Sequence, residues 1–227
     1  MKLVLFDIDG TLVLTGGAGK RSMTRAYHEI FGIDNALEKI NFSGMTDLLI
    51  FRLASEQFGR EFSFEAHRKF KAAYLTYLVE EILLEHPEKR LLPGVVDLLE
   101  ALKKRPDVTL GLLTGNYAES AQIKLEHFNV FHYFSCGAYG DDHENRDRLV
   151  PFALERIPPK NKAPESADVE VWVVGDTPRD IACARPHGAK AVAVATGFYS
   201  LDELKSHSPD FYFENLDDTG SVLEIFN

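Results

Sequence analysis

The chain has 227 residues, of which 45% are hydrophobic and 26% are charged, proportions typical of a folded globular protein rather than a disordered one. Its formal net charge of -10 at pH 7 argues against binding to nucleic acid or to an anionic membrane surface. No apolar run reaches transmembrane length, and the short apolar N-terminus is interrupted by Asp7, which a signal peptide would not carry.

The first predicted strand, near residues 3–6, runs into two acidic residues in the stretch VLFDIDGTLV. Two carboxylates about 4 Å apart repel each other by roughly 4 kcal/mol at the effective dielectric of a protein surface. A fold does not need the repulsion that Asp7 and Asp9 would create. We therefore expect a positive group between these two side chains.

Three helical patterns and no convincing strand pattern occupy residues 15–88. Beyond them, short apolar runs alternate with helical patterns, which is typical of a parallel sheet with helices on both faces. The sequence therefore predicts an α/β fold with a Rossmann-like parallel-sheet core at residues 1–14 and 89–227 and an inserted, mainly helical cap at 15–88. The further strands are expected near residues 108–113, 133–136, 169–174 and 190–195 and, at the sheet edge, 211–213.

Two sequence patterns are typical of helix N-termini. Asn116 is followed three residues later by Glu119, which is the spacing of a capping box, so we expect Asn116 to be an N-cap. In GDTPRD, Thr177 is the expected N-cap, Pro178 occupies the first helical position and Asp180 the third. Capping alone therefore explains Asn116 and Asp180 without any ligand.

Polar residues follow three of the predicted strands. Asp7 and Asp9 follow the first strand, Thr114 follows the strand near 108–113, and Asp176 ends the run VEVWVVGD. Ligands of open α/β sheets bind at the carboxyl ends of the strands, so these side chains are expected to converge on one site. Carboxylates, a hydroxyl and helix N-termini suit a hard divalent cation that holds a phosphate group. Mg²⁺ would offset the repulsion between the first two aspartates.

Three motifs along the chain carry a family resemblance. DIDGT at 7–11, LLTGN at 112–116 and GDTPRD at 175–180 resemble the first, second and fourth motifs of the haloacid dehalogenase-like superfamily, in the family's order. The matching architecture covers essentially the whole chain. The helical insert resembles the cap of the subgroup that contains phosphoglycolate phosphatases and β-phosphoglucomutases. The resemblance implies a phosphoric monoester hydrolase.

The resemblance also implies a role for each residue that matches its motifs. Asp7 would be the nucleophile that attacks phosphorus, and Asp9 would protonate the leaving oxygen and then activate the hydrolytic water. The side chains of Asp7 and Asp176 and the backbone carbonyl of Asp9 would bind Mg²⁺. The hydroxyl of Thr114 and the backbone N–H of Gly115 would bind the phosphoryl group.

The third motif departs from the family's common form, in which a lysine often precedes a helix start that contains proline. The stretch GAYGDDHENRDRLVPFALERI has no lysine, so an arginine is expected to supply the positive charge. We favour Arg146, with Arg148 as the competitor, because a guanidinium can hold phosphate and carboxylate oxygens with two bonds. A solvated arginine at a helix start is the alternative. Asp180 and Asn116 are expected, at most, to support the metal and phosphate ligands.

Together these patterns predict a Mg²⁺-dependent phosphatase that hydrolyses a small phosphorylated metabolite, for instance a phosphoglycolate-like one, through an aspartyl-phosphate. The alternatives are a phosphomutase of the same family, and a phosphoacceptor or binding protein that does not hydrolyse. Two cysteines, Cys136 and Cys183, are too few for a disulfide framework and lack metal-ligand spacing, so we expect reduced thiols and a cytoplasmic location. The sequence indicates no oligomeric state.

Overall fold

The described residues, 1–161 and 168–227, contain a six-stranded parallel sheet in this computed structural model. In chain order the strands are β1 (Lys2–Phe6), β2 (Val13–Leu14), β3 (Arg90–Leu91), β4 (Val108–Leu113), β5 (Cys136–Ala138), β6 (Glu170–Gly175), β7 (Lys190–Val194) and β8 (Phe211–Phe213). The large sheet has the order β5-β4-β1-β6-β7-β8, and β2 and β3 form a separate antiparallel pair. The predicted α/β class with a Rossmann-like sheet is confirmed.

Helices cover both faces of this sheet and also fill the segment between β2 and β3. In chain order they are α1 (Ala18–Phe31), α2 (Asp47–Gln57), α3 (Phe64–Glu81), α4 (Val95–Lys103), α5 (Ala118–His127), α6 (Val150–Glu155), α7 (Pro178–Ala184), α8 (Leu201–Ser206) and α9 (Thr219–Glu224). Short 3-10 turns lie at Phe131–Tyr133, Arg146–Arg148, Pro159–Asn161 and Arg185–His187. None of the helices described in the structure combines the length and the apolar character that a membrane crossing requires.

One predicted strand is misplaced. The strand expected near 133–136 lies later in the chain, as β5, and a 3-10 turn occupies Phe131–Tyr133 instead. The run is apolar because Phe131 and Phe134 pack against the core beside the sheet, which requires no strand geometry. Pairing with β4 begins only at Cys136.

The central strand β1 is buried on both faces, as expected of a strand in the middle of a parallel sheet. Val4 and Phe6 belong to the core that α4, α5 and α9 cover, and Leu3 and Leu5 belong to the core on the opposite face, beneath α6 and α7. All four side chains are fully buried. Because each such burial contributes about 1.5–3 kcal/mol, the strand is a firm support for Asp7 at its carboxyl end.

A third apolar core lies among α1, α2 and α3. Tyr27, Phe51 and Phe70 are buried at its centre, and the ring centroids of Phe51 and Phe70 lie 4.9 Å apart. This core is separate from the two that flank the sheet, and the β2–β3 pair joins the two ends of the helical segment. We therefore propose the core and cap boundaries that the sequence predicts.

Gly94, just before α4, allows a close backbone approach that can be tested. Its φ is 74°, and an added Cβ would lie 1.9 Å from the carbonyl oxygen of Leu216. We expect Gly94→Ala to lower the free energy of unfolding by about 2–5 kcal/mol, because left-handed strain of about 1–2 kcal/mol adds to overpacking of about 1–3 kcal/mol. Gly188 is the matched control, since its φ is 62° and no atom lies within 4 Å of an added Cβ. Urea unfolding of both variants measures the difference, and equal losses would contradict the steric explanation.

Candidate active site

The carboxyl ends of β1, β4 and β6 meet at one cavity of about 490 Å³. Asp7 and Asp9 follow β1, Thr114 follows β4 and Asp176 follows β6, and all four line the cavity. The parallel strands place these residues at the same edge of the sheet. The walls also include Gly19, Asp47 and Tyr74 from the helical segment and Asn116, Lys124 and Arg146 from the rest of the chain.

Three buried carboxylates form an acidic cluster at this edge. Asp7, Asp176 and Asp180 each offer an oxygen, and these oxygens lie within 4.8 Å of one another. Burial raises the pKa of Asp7 to about 6, with Arg146 opposing the rise and Asp180 and Asp9 adding to it. Burial, together with the charges of Asp180 and Asp7, raises the pKa of Asp176 well above its usual range. The acidic cluster therefore holds more negative charge than its protein partners compensate.

Arg146 is the positive partner of the acidic cluster. The side chain is buried, and Nη2 contacts Asp7 Oδ1 at 3.0 Å and also contacts Asp180. Nη2 also donates to the carbonyl oxygen of Leu113 at 3.0 Å. Of the two arginines considered from the sequence, the structure brings Arg146 to the cluster and leaves Arg148 exposed. The guanidinium therefore fixes Asp7 and neutralises part of the cluster's charge.

Both carboxylate oxygens of Asp180 have protein partners. The backbone N–H and the hydroxyl of Thr177 donate to its Oδ2 at 3.0 and 2.7 Å, and Arg146 donates to its Oδ1. This reciprocal arrangement is a capping box at the start of α7, so the predicted capping pattern is confirmed. Asp7 and Asp176 have fewer side-chain partners and are therefore the members of the cluster with the most capacity for a further one.

The acidic cluster fits a divalent metal ion. Asp176 Oδ1 accepts a hydrogen bond from the Thr11 hydroxyl at 3.1 Å. Near Oδ2, Cβ atoms added to Gly10 and Gly197 would lie only 2.3 and 1.7 Å away, so any larger residue would fill the space beside this oxygen. When all three carboxylates are ionised, Arg146 leaves two negative charges uncompensated, and a donor set made only of oxygen atoms suits Mg²⁺.

The loop after β4 contributes Thr114, Gly115 and Asn116 to the cavity. Thr114 Oγ1 accepts from the Asn116 side-chain amide at 2.8 Å. Gly115 packs directly against the helical segment, because an added Cβ would lie 1.9 Å from the Met45 carbonyl oxygen, and its own carbonyl accepts the Asp47 N–H at 2.7 Å. Backbone contacts therefore join this loop to the helical segment.

The prediction that Asn116 caps α5 is wrong. The N-cap position is Tyr117, and its side chain makes no capping hydrogen bond. Instead, the carboxylates of Asp47 and Asp141 accept the first two N–H groups at this end, at 2.9 and 2.7 Å. Because distant carboxylates replace the local cap, the Asn116 amide is free to donate to Asp9 Oδ2 at 2.8 Å.

Lys124 lies in the site although no motif of the sequence contains it. Its ammonium is buried, and Nζ donates to Asp9 Oδ2 and to Asn116 Oδ1, both at 2.6 Å. One sequence signal pointed to it: Lys124 shares the buried face of α5 with Ala121 and Leu125. A lysine on an apolar face requires a partner, but the sequence does not say that the partner is Asp9.

Asp47 is a second site residue that sequence reasoning missed. It lies in the first turn of α2, and its buried carboxylate accepts from the Tyr117 N–H at 2.9 Å and the Ser120 hydroxyl at 3.3 Å. Burial raises its pKa to about 7, although the charge of Lys124 and the bond from Tyr117 oppose the rise. A buried titratable group therefore links the helical segment to α5.

The chain matches known proteins over most of its length. A family model described as haloacid dehalogenase-like hydrolase matches residues 4–194. The chain is 29% identical to a phosphoglycolate phosphatase of Mannheimia succiniciproducens, over 98% of both chains. It is 27% identical to a 5'-nucleotidase of Pseudomonas aeruginosa, over 97% of this chain and 95% of that one.

A solved structure supports the same relationship at the level of the fold. A β-phosphoglucomutase of Clostridium difficile superimposes with a TM-score of 0.68 at 18% identity, over 100% of this chain and 96% of that one. The resemblance indicated by the three motifs is confirmed. The match to a hydrolase family and the phosphatase name of a relative confirm the prediction of a phosphoric monoester hydrolase.

Asp47→Asn tests the buried carboxyl group that links the helical segment to α5. Because the pKa of Asp47 rises from 3.8 to about 7 on folding, its protonation stabilises the fold fully below about pH 4, and this contribution is lost as the pH rises to 7. We expect the variant to match the wild type near pH 4 and to have a free energy of unfolding about 1–3 kcal/mol higher at pH 8. Urea unfolding with EDTA at both pH values measures this, with exposed Asp97→Asn as the control. A less stable variant at pH 8 would contradict it.

Proposed function

The chain belongs to the haloacid dehalogenase-like hydrolase family, and from that premise we propose that it is a Mg²⁺-dependent phosphatase of a small phosphorylated metabolite. One observation carries the proposal: Asp7, Asp9, Thr114, Arg146 and Asp176 line a single cavity at the carboxyl edge of the sheet. Stability alone does not favour burying several carboxylates together, because each loses hydration and repels the others. A site that binds a cation and a phosphate group explains why these carboxylates are buried together despite the free-energy cost.

Asp7 is the proposed nucleophile. One of its oxygens attacks the phosphorus of a monoester, so that an aspartyl-phosphate forms and the leaving oxygen departs with the electron pair of the broken bond. The contact of Arg146 with Oδ1 at 3.0 Å orients the carboxylate and leaves Oδ2 for the attack. β1 and Arg146 hold the Asp7 side chain before substrate binds. The side chain therefore loses little rotational freedom when the transition state forms.

Asp9 is the proposed acid and base. It protonates the leaving oxygen in the first step and removes a proton from the water that hydrolyses the aspartyl-phosphate in the second. Its side chain is 42% exposed and lines the cavity, so it can reach a bound substrate. In contrast, Asp7 is nearly fully buried.

The metal and phosphate ligands complete the proposed site. The side chains of Asp7 and Asp176 and the backbone carbonyl of Asp9 would hold Mg²⁺, which supplies positive charge beside the nucleophile and the phosphoryl oxygens. The Thr114 hydroxyl and the Gly115 N–H are proposed to donate to the same oxygens. Phosphoryl transfer depends largely on such positioning and charge stabilisation.

The cavity size and the relatives guide the choice of substrates. A volume of about 490 Å³ suits a small molecule, and the phosphoglycolate phosphatase relative makes a phosphoglycolate-like substrate the first to test. A phosphomutase would use the same acidic residues, but it would return an isomerised sugar phosphate instead of free phosphate. Product analysis therefore distinguishes the two.

Turnover of 4-nitrophenyl phosphate with Mg²⁺ tests the assigned chemistry. We expect Asp7→Asn to lower kcat at least about 10⁴-fold, because the nucleophile is lost, and Asp9→Asn to lower it about 10²- to 10⁴-fold, because proton transfer is lost. Asp202→Asn is the control, since that side chain is 96% exposed, and it should keep full activity. Multiple turnovers by Asp7→Asn, or no turnover of any phosphomonoester by the wild type, would sink the proposal.

Metal-dependent stability tests the ion site without measuring activity. After EDTA treatment, Mg²⁺ at about 100 times its Kd should stabilise the wild type by about 2.7 kcal/mol, which raises Tm by roughly 5–10 °C. Asp176→Asn should lose most of this rise, because one carboxylate ligand is gone, whereas Asp202→Asn should keep it. Differential scanning calorimetry at constant ionic strength measures both. An undiminished rise in Asp176→Asn would show that the ion binds elsewhere.

A further inference from the structure

Lys124 is buried beside Asp9 on a helix that carries no family motif. Only 4% of the residue is exposed, and Nζ donates at 2.6 Å to both Asp9 Oδ2 and Asn116 Oδ1. Asn116 Nδ2 donates to the same Asp9 oxygen at 2.8 Å. A buried ammonium is costly unless it is paired and hydrogen-bonded, so these contacts keep Lys124 in one position.

The two donors converge on a single oxygen of Asp9. Oδ2 accepts from both, and within the part of the chain that the structure describes no protein group makes a hydrogen bond to Oδ1. An oxygen that accepts two N–H donors is a poor place for the acidic proton. The unequal environment of the two oxygens therefore leaves Oδ1 as the one that is open to a bound substrate.

Asn116 and Lys124, which hold Asp9, are in turn fixed by their own contacts. Asn116 Nδ2 also donates to Thr114 Oγ1 at 2.8 Å, which ties it to the end of β4. Gly19, in the first turn of α1, lies against Lys124, because an added Cβ would be 3.4 Å from Nζ. The ammonium is thus packed between the loop after β4 and the helical segment, and Asp9 receives its orientation from both.

We propose that Lys124 is a positioning residue that, together with Asn116, fixes the rotamer of Asp9 so that Oδ1 faces the leaving oxygen of the substrate. The inference deepens the proposed function and rests on it. In the first step a bond forms between Asp7 and phosphorus, and the bond from phosphorus to the leaving oxygen breaks with its electron pair on oxygen. The Oδ1 proton of Asp9 passes to that oxygen. Lys124 neither gives nor takes a proton.

A buried ammonium could instead bind an anionic group of the substrate. Two observations favour positioning. Nζ already has two oxygen partners at 2.6 Å, Asp9 and Asn116, which take two of its three N–H groups. Only 4% of the residue is exposed, which leaves a substrate anion little access to the remaining N–H group. The two roles differ in kinetics, because a positioning residue affects proton transfer and a substrate ligand affects binding.

The dependence of kcat/KM on the leaving group distinguishes a positioning role for Lys124 from a role in binding the substrate. Phenyl phosphate has a strongly basic leaving oxygen that needs protonation, whereas 2,4-dinitrophenyl phosphate has a weakly basic one that does not. We expect Lys124→Met to lower kcat/KM at least about 100-fold for phenyl phosphate and less than about 10-fold for 2,4-dinitrophenyl phosphate, because only the contribution of general acid catalysis is lost. Adding Lys124→Met to Asp9→Asn should cause no further loss for phenyl phosphate, since Lys124 acts through Asp9.

Lys71→Met is the matched control. Lys71 also bonds two oxygen partners, Glu119 at 2.8 Å and Asp141 at 2.6 Å, and it also packs beside α5, but it does not contact Asp9. It should leave both kcat/KM values unchanged. Lys124→Gln, which also removes the ammonium, gives the same comparison if the methionine variant fails to fold.

The outcomes distinguish the positioning role from the proposed function. Three results would overturn the positioning role and leave the phosphatase assignment intact. They are an equal fall in kcat/KM for the two substrates, a rise in KM alone, and a further loss of kcat/KM when Lys124→Met is combined with Asp9→Asn. A wild type that hydrolyses neither substrate would overturn both proposals. A selective fall for phenyl phosphate that disappears in the Asp9→Asn background supports the inference.

Discussion

The acidic cluster of Asp7, Asp176 and Asp180 concentrates negative charge in a buried site, where charges interact several times more strongly than in water. Arg146 offsets part of that charge and is itself buried, so each group depends on the others for its protonation state and its orientation. The carboxylate of Asp180 accepts hydrogen bonds from Arg146 and from the N-cap of α7. The remaining charge on Asp7 and Asp176 is what makes a divalent cation a fitting partner and a phosphate group a fitting target.

The junction between the sheet and the helical segment extends this electrostatic arrangement. Asp47 satisfies an N–H group at the start of α5, and Lys124 on the same helix holds Asp9. The loop at Gly115 brings the two backbones into direct contact. The helical segment and the residues that carry the proposed chemistry are therefore joined by one set of contacts, so that movement of the helical segment would shift Asp9.

The sequence predicted the architecture and the strand-end carboxylates because both follow from local rules. An apolar run that ends in aspartate places Asp7 and Asp176 at the carboxyl edge of a parallel sheet. This placement does not depend on the conformation of the loops. Lys124 and Asp47 escaped prediction because their partners lie 115 and 70 residues away and no local pattern encodes such pairs. The misplaced strand before Cys136 has a related cause, since aromatic residues that pack against a core resemble strand residues in sequence.

The most direct test of the central claim is the position of the metal ion. Crystals grown with Mn²⁺ in place of Mg²⁺ give an anomalous signal that locates the ion without reference to activity. We expect one ion about 2.0–2.2 Å from oxygens of Asp7, Asp176 and the Asp9 carbonyl, the spacing of a hard cation with oxygen ligands. A fully occupied ion away from Asp7 and Asp176, or none at saturating Mn²⁺, would contradict the claim that the acidic cluster is a metal site.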